Sequence, residues 1–170
     1  GSVLEGVPIL GSVTQYAKEQ LQTPCYFHVG IGDNRVRERV TQLLEKAGLT
    51  PATLIDPSAV ISETARVGEG SYVAPHVFIG PRAIVGRYAL INTGASVGHD
   101  GVVHEYAQLC PGGRLSGGAV LGRGGFVGSN GVLAPGIAIG DWARVGAASF
   151  AARDVPTGAT ALGVPAKVLA

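Results

Sequence analysis

The stretch IDPSAV-ISETAR-VGEGSY-VAPHVF-IGPRAI-VGRYAL-INTGAS-VGHDGV-VHEYAQ-LCPGGR-LSGGAV-LGRGGF-VGSNGV-LAPGIA-IGDWAR-VGAASF, residues 55–150, divides without remainder into sixteen hexads. Every hexad opens on Ile, Val or Leu, the second position is Gly in eight, and the fifth is small except at Val77 and Ile137. A period this short cannot hold a helical hairpin. It fits a parallel β-helix whose coil has three flat faces, one hexad to a face and eighteen residues to a turn, each coil burying its aliphatic first positions by stacking on the next. The glycines are expected to ease the corners, and sixteen hexads make about five coils. Residues eighteen apart then lie one above another at about the 4.8 Å separation of neighbouring strands. The spacing alone does not choose a hand. A disordered Gly-rich tract is excluded, because disorder needs few β-branched residues and high charge, and here charged residues are only 15 %.

Working outward, 170 residues with 46 % hydrophobic content and a net charge of +1 suit a globular chain with one sizeable core or two small ones. No run of eighteen apolar residues and no basic-then-apolar leader occurs, so neither export nor membrane insertion is expected and a cytoplasmic location is the default. Lys and Arg are scattered rather than striped, which argues against a nucleic-acid footprint. Cys25 and Cys110 lie far apart without metal-type spacing and read as reduced thiols. A Gly-Ser opening with no methionine reads as a sequence that begins after a natural start.

The first 52 residues differ from the rest. VPIL (7–10) and CYFHVGIG (25–32) read as strands; SVTQYAKEQL (12–21) and NRVRERVTQLLEKAG (34–48) read as helices. In the second helix Val36, Val40, Leu43, Leu44 and Ala47 fall on one face, Asn34 can cap the start and Gly48 can end it. This predicts a small, apparently truncated α/β domain over residues 1–52, followed by the β-helix and its tail over 53–170. The turn GIGDN (30–34) at a strand's carboxyl end, opening a helix, is where open α/β sheets place anionic ligands. A plain strand-to-helix turn with Asp33 and Asn34 as capping residues accounts for it equally well.

Together EGVPILG, GIGDNRVRERV, TLIDPSAVIS, INTGASVGHD and the ending RDVPTGATALGVPAK resemble the bacterial hexapeptide-repeat sugar acyltransferases. These are the sialic acid O-acetyltransferases and the nucleotide-linked 4-amino-sugar N-acetyltransferases. The resemblance implies a left-handed β-helix, a homotrimer, acetyl-CoA in grooves between subunits with no metal, and an α/β domain that holds the nucleotide sugar. It makes His99 of GHD the general base, a role that suits an imidazole near neutrality, with Asp100 orienting it. Gly117, eighteen residues on, should lie over His99, and the resemblance implies that its backbone N–H faces the oxyanion. The resemblance also places Gly32, Asp33 and Asn92 at the sugar nucleotide, and Gln108, Gly117, Ser129, Ala147 and Lys167 along the cofactor.

The chain departs from the family pattern in three places. Gln108 stands where a histidine is usual, His104 where Gly is common, and the usual opening strand, Gly-Gly-His-Gly loop and helix do not occur. Either that opening lies outside this sequence or this member uses its nucleotide sugar differently. VGHDGVVH (97–104) also resembles the γ-class carbonic anhydrases, which hold zinc on two histidines at this spacing. The third ligand that zinc needs is missing, because positions 86 and 68, one and two coils before His104, are both Gly. A non-catalytic trimeric scaffold is the third alternative.

Overall fold

The computed structural model describes residues 3–9, 11–16 and 25–169. From Leu54 onward the chain winds into a left-handed parallel β-helix. Each hexad contributes one two-residue strand made of its last residue and the first of the next, as in Leu90–Ile91, Ser96–Val97 and Val102–Val103. Strands pair at the expected spacing of eighteen, with Val97 opposite Leu115 and Val103 opposite Leu121. The three faces are sheets of eight, six and five strands. First-position side chains from Val73 to Val145 are no more than 1 % exposed, and burying each contributes about 1.5–3 kcal/mol. At the open first coil Ile55 is still 48 % exposed.

The corners differ from expectation. The left-handed backbone sits at the fourth position of the hexad, at every such residue from Gly70 to Ala148, and eight of these fourteen are not glycine. The second-position glycines serve another end. A Cβ on Gly68, Gly86 or Gly128 would stand 2.5–2.7 Å from backbone nitrogen of the coil above, so glycine there permits close stacking of coils. The hexad that opens at Ala151 is cut to four residues, since Val155 bridges Ile139 and Thr160 pairs with Arg144, both sixteen apart. The eight-stranded sheet then ends in an antiparallel hairpin, Thr160–Gly163 with Ala166–Val168.

In the front segment Val3–Leu4 pairs with Val7–Pro8, and Tyr26–Phe27 pairs in parallel with Thr50–Pro51. These strands are shorter than the sequence suggests. Of the expected first helix, Val13–Tyr16 is helical and Ser12 precedes it, while residues 17–21 lie outside the described residues. The long helix runs Asn34–Lys46 and is capped by Asp33, not Asn34: the Asp33 carboxylate accepts from the N–H groups of Arg35 and Val36. Asn34 is buried instead.

The buried stripe of this helix is Asn34, Arg37, Thr41 and Leu44, while Leu43 and Ala47 are exposed, contrary to the apolar face expected. The reason is what the helix packs on. It lies along one corner of the β-helix, where carbonyls repeat every eighteen residues. Asn34 donates to Gly124 O, and Arg37 donates to Tyr106 O and Tyr88 O. Two helical turns rise about 10.8 Å and two coils about 9.6 Å, so the two periods nearly keep step. Glu38 meets Arg123 and Glu45 meets Arg87 by the same matching. Tyr88 and Tyr106, stacked with centroids 5.2 Å apart, complete this small second core with Phe27 and Leu44.

Candidate active site

The corner after Ser96–Val97 carries His99 and Asp100. Asp100 takes the left-handed conformation, φ 58°, which Asp tolerates better than most residues. Its Oδ2 lies 2.8 Å from His99 Nδ1. Arg82, one coil below, grips the same carboxylate with Nε and Nη2 at 2.6 and 2.8 Å. The Arg82 guanidinium, and then the His99 imidazole, push the Asp100 carboxyl down to about 2. An ionised Asp100 can only accept, so the proton of a neutral His99 is on Nδ1 and the Nε2 lone pair is free.

Nε2 points at Gly117. A Cβ on that glycine would lie 2.4 Å from it, so the imidazole occupies the space a side chain would need. The Gly117 N–H donates to no partner among the described residues, whereas the next N–H, of Gly118, is held by His99 O at 2.8 Å. His99, Asp100 and Gly117 therefore come together as the spacing indicates. Arg82 was not singled out from the sequence, although the same spacing of eighteen places it beneath Asp100.

The remaining candidates lie elsewhere on the chain. Gly32, Asn92 and Gln108 share a cavity of about 290 Å³ whose apolar wall is Leu54, Tyr72 and Leu90. Asn92 Nδ2 donates to Leu109 O, and the buried Gln108 Oε1 has no partner among the described residues. Gln108, expected along the cofactor, thus sits among the residues expected at the sugar. His28 lines the same cavity and was missed. Gly32 and Asp33 also edge a smaller cavity of about 130 Å³ against Phe126, Trp142 and Arg144. There the Arg35 guanidinium lies 4.3 Å from the centroid of the Trp142 ring. The Val36 N–H holds the Asp33 carboxyl below the usual carboxylate range.

Ser129 and Ala147 stack at the corner after the eight-stranded face, joined by the bond from Ala148 N to Ser129 O, and not at the corner of His99. Lys167 lines a third cavity, of about 440 Å³, with Arg153 and Asp154. A single chain thus brings His99, Asp100 and Gly117 together, while Gln108, Ser129, Ala147 and Lys167 lie away from them. His104 is exposed at the far end of the strand Val102–Val103. Among the described residues no three His, Cys, Asp or Glu side chains gather as a metal site, and no helix is long and apolar enough to cross a membrane.

No protein-family model matches the chain. A GDP-perosamine N-acetyltransferase of Escherichia coli O157:H7 is 29 % identical over 92 residues, which span 54 % of this chain and 42 % of that protein. Among solved structures, a perosamine N-acetyltransferase mutant from Caulobacter crescentus, in complex with CoA and GDP-perosamine, matches at 34 % identity and TM-score 0.94. That match covers all of this chain and 81 % of the other. The acetyltransferase domain of PglB from Neisseria gonorrhoeae, in complex with acetyl coenzyme A, is 27 % identical with TM-score 0.90, covering 98 % and 81 %. WeeI from Acinetobacter baumannii is 27 % identical with TM-score 0.93, covering 99 % and 81 %.

Proposed function

The chain belongs to the bacterial sugar acetyltransferases, and from that membership we propose that it transfers the acetyl group of acetyl-CoA to the amino group of a nucleotide-linked amino sugar. GDP-perosamine is the first acceptor to test, because the Caulobacter relative binds it. The observation that carries the reading is the arrangement of His99, with Nδ1 on an ionised Asp100 and Nε2 against Gly117.

In this reaction the amine nitrogen attacks the thioester carbonyl as His99 Nε2 takes its proton. The C–S bond then breaks, and the departing CoA thiolate receives that proton from the imidazolium. Asp100 would favour the charged imidazolium between these steps, and the N–H of Gly117, which donates to no partner among the described residues, would face the oxyanion. The GIGDN turn with Gly32, Asp33 and Asn92 would hold the nucleotide sugar. Gln108, Ser129, Ala147 and Lys167 would line the CoA path.

Those residues occupy different corners of one chain, so the groove that joins them to His99 would form between subunits, which supports a homotrimer. Val60, Phe78 and Phe150 point outward from one face and are 37–62 % exposed in the single chain, as an interface needs. A reaction that consumes acetyl-CoA fits a cytoplasmic protein. The zinc reading loses ground, because His99 Nδ1 is held by Asp100 and His104 stands at the next corner.

A hydroxyl acceptor would need the same base. Thiol release from acetyl-CoA, measured against GDP- and UDP-linked 4-amino sugars and against sialic acid, tests the proposal. Turnover confined to sialic acid would replace the amine with a hydroxyl, and no turnover with any acceptor would overturn the reading.

A further inference from the structure

We propose that Arg37 is a positioning residue for the acceptor: it pins the GIGDN turn to the β-helix and so sets the width of the two cavities between them. The proposal rests on the reading that this turn holds a nucleotide sugar.

Packing holds only part of the turn, where the half-buried Ile31 lies against the small second core. A Cβ built on Gly30 or on Gly32 meets nothing within 4 Å, so both glycines stand in open space. Polar bonds hold the rest. Arg37 is 1 % exposed and its guanidinium donates in four directions. Nη1 goes to Ile31 O within the turn at 2.7 Å, and Nη2 to Asn34 Oδ1 at 2.8 Å. Nε goes to Tyr88 O at 3.0 Å, and Nη2 also to Tyr106 O at 2.6 Å. The first two acceptors belong to the turn and the helix start, the last two to successive coils of the β-helix. Asn34 extends the same grip to a third coil, donating to Gly124 O and Gly125 O.

One buried cation therefore ties the turn to the scaffold. Burial pushes its pKa down to about 10, which leaves it protonated at neutral pH. The cavity walls facing the turn are side chains of those coils and of the one above: Leu90, Asn92 and Gln108 on one side, Phe126, Trp142 and Arg144 on the other. Without the pin the turn can move relative to these walls, while the corner that carries His99 is untouched. The loss should fall on acceptor binding and spare the chemical step. Lysine cannot replace the planar fork that reaches four acceptors.

The test compares wild type with Arg37→Gln, Arg37→Lys and Asn34→Ala, using GDP-perosamine and acetyl-CoA. Arg37→Gln should raise KM for GDP-perosamine by about tenfold or more, the scale of losing charged hydrogen bonds. Its kcat and its KM for acetyl-CoA should stay within about threefold. Arg37→Lys should fall between it and wild type. GDP titrated against fluorescence of Trp142, the single tryptophan, should show the same weakening without any turnover. If Arg37→Gln does not fold, Asn34→Ala carries the test, with a smaller rise in the same KM. A folded variant with unchanged KM for GDP-perosamine, or one in which both KM values and kcat worsen together, overturns the proposal. Should wild type turn over no nucleotide sugar yet bind GDP in a way that Arg37→Gln weakens, the proposed reaction fails and the positioning role stands. Absence of GDP binding to wild type overturns both.

Discussion

Nε2 of His99 lies where a side chain at Gly117 would begin, 2.4 Å from the position of its Cβ. Because the imidazole is two-thirds exposed, a methyl group there would push it outward at little cost in stability and break its 2.8 Å contact with Asp100. Gly117→Ala should therefore keep the melting temperature and lose about 10²–10³-fold in kcat. The control is Gly118→Asn: Gly118 has φ 66°, a Cβ there meets only Gly136 Cα at an ordinary 3.9 Å, and Asn tolerates that backbone. Equal activity of the two variants would remove Gly117 from the site.

His99→Ala should lower kcat by about 10²–10⁴-fold and leave unfolding unchanged, since among the described residues the exposed ring bonds only to Asp100. Thiol-release kinetics beside a thermal melt decide it. A folded variant that retains most of its turnover would assign the base elsewhere.

Asp100 should titrate near 2 in the native protein, below the ordinary 3.8. The sign follows from linkage. A carboxyl depressed on folding stabilises the native state above its unfolded pKa, and that contribution is lost as pH falls through the native value. Stability owed to Asp100 is thus present at pH 4 and above and disappears as pH falls toward 2. Arg82→Ala removes the first cause of the depression, so the Asp100 midpoint, followed by carboxyl carbon NMR, should move up toward 3.8. An unmoved midpoint would show that Arg82 does not control it.

Gln108 keeps a buried, unpartnered Oε1, and its amide nitrogen reaches only Cys110 Sγ at 3.6 Å. An unsatisfied buried acceptor costs about 1–3 kcal/mol, so Gln108→Leu should raise the melting temperature while turnover falls. A more stable, less active variant marks the amide as functional; unchanged activity would remove it from the site.

Ala148 is exposed with φ 51°, a conformation that costs an L-residue about 1–2 kcal/mol. One coil below, Asn130 adopts the same conformation with φ 57°. Ala148→Asn should stabilise by about 1 kcal/mol, read as a higher denaturant midpoint, and should leave kcat unchanged.

The β-helix was legible because its signal is strictly periodic: a six-residue period with an invariant aliphatic gives the faces, and three of them give the stack that joins His99 to Gly117. The same arithmetic reaches Arg82 from Asp100, once the ion pair is looked for. What escaped had no compositional signal. The left-handed corner is filled by residues as unlike as His76, Tyr88, Asp100 and Trp142, so nothing in residue type announces it. The buried stripe of the long helix escaped for the opposite reason. Hydrophobic periodicity finds surfaces that meet oil, and this helix meets a column of carbonyls, which calls for the donors of Asn34 and Arg37, and the hydroxyl of Tyr106, which receives Thr41. Cavities joining the GIGDN turn to Trp142 or Asn92 depend on that docking and could not be read before it.

The four-residue hexad at Ala151 and the hairpin behind it bear on how such a rod avoids growing. A parallel stack presents at each end the same unpaired ladder that its own coils use, an open template on which a second molecule could continue the winding. The antiparallel strand Ala166–Val168 reverses the polarity of that ladder on the widest sheet, and the register change at Val155 puts the next rung out of phase. Fibre growth from this end would need both features undone at once, which makes the hairpin a terminator of self-assembly as well as a lid on the core.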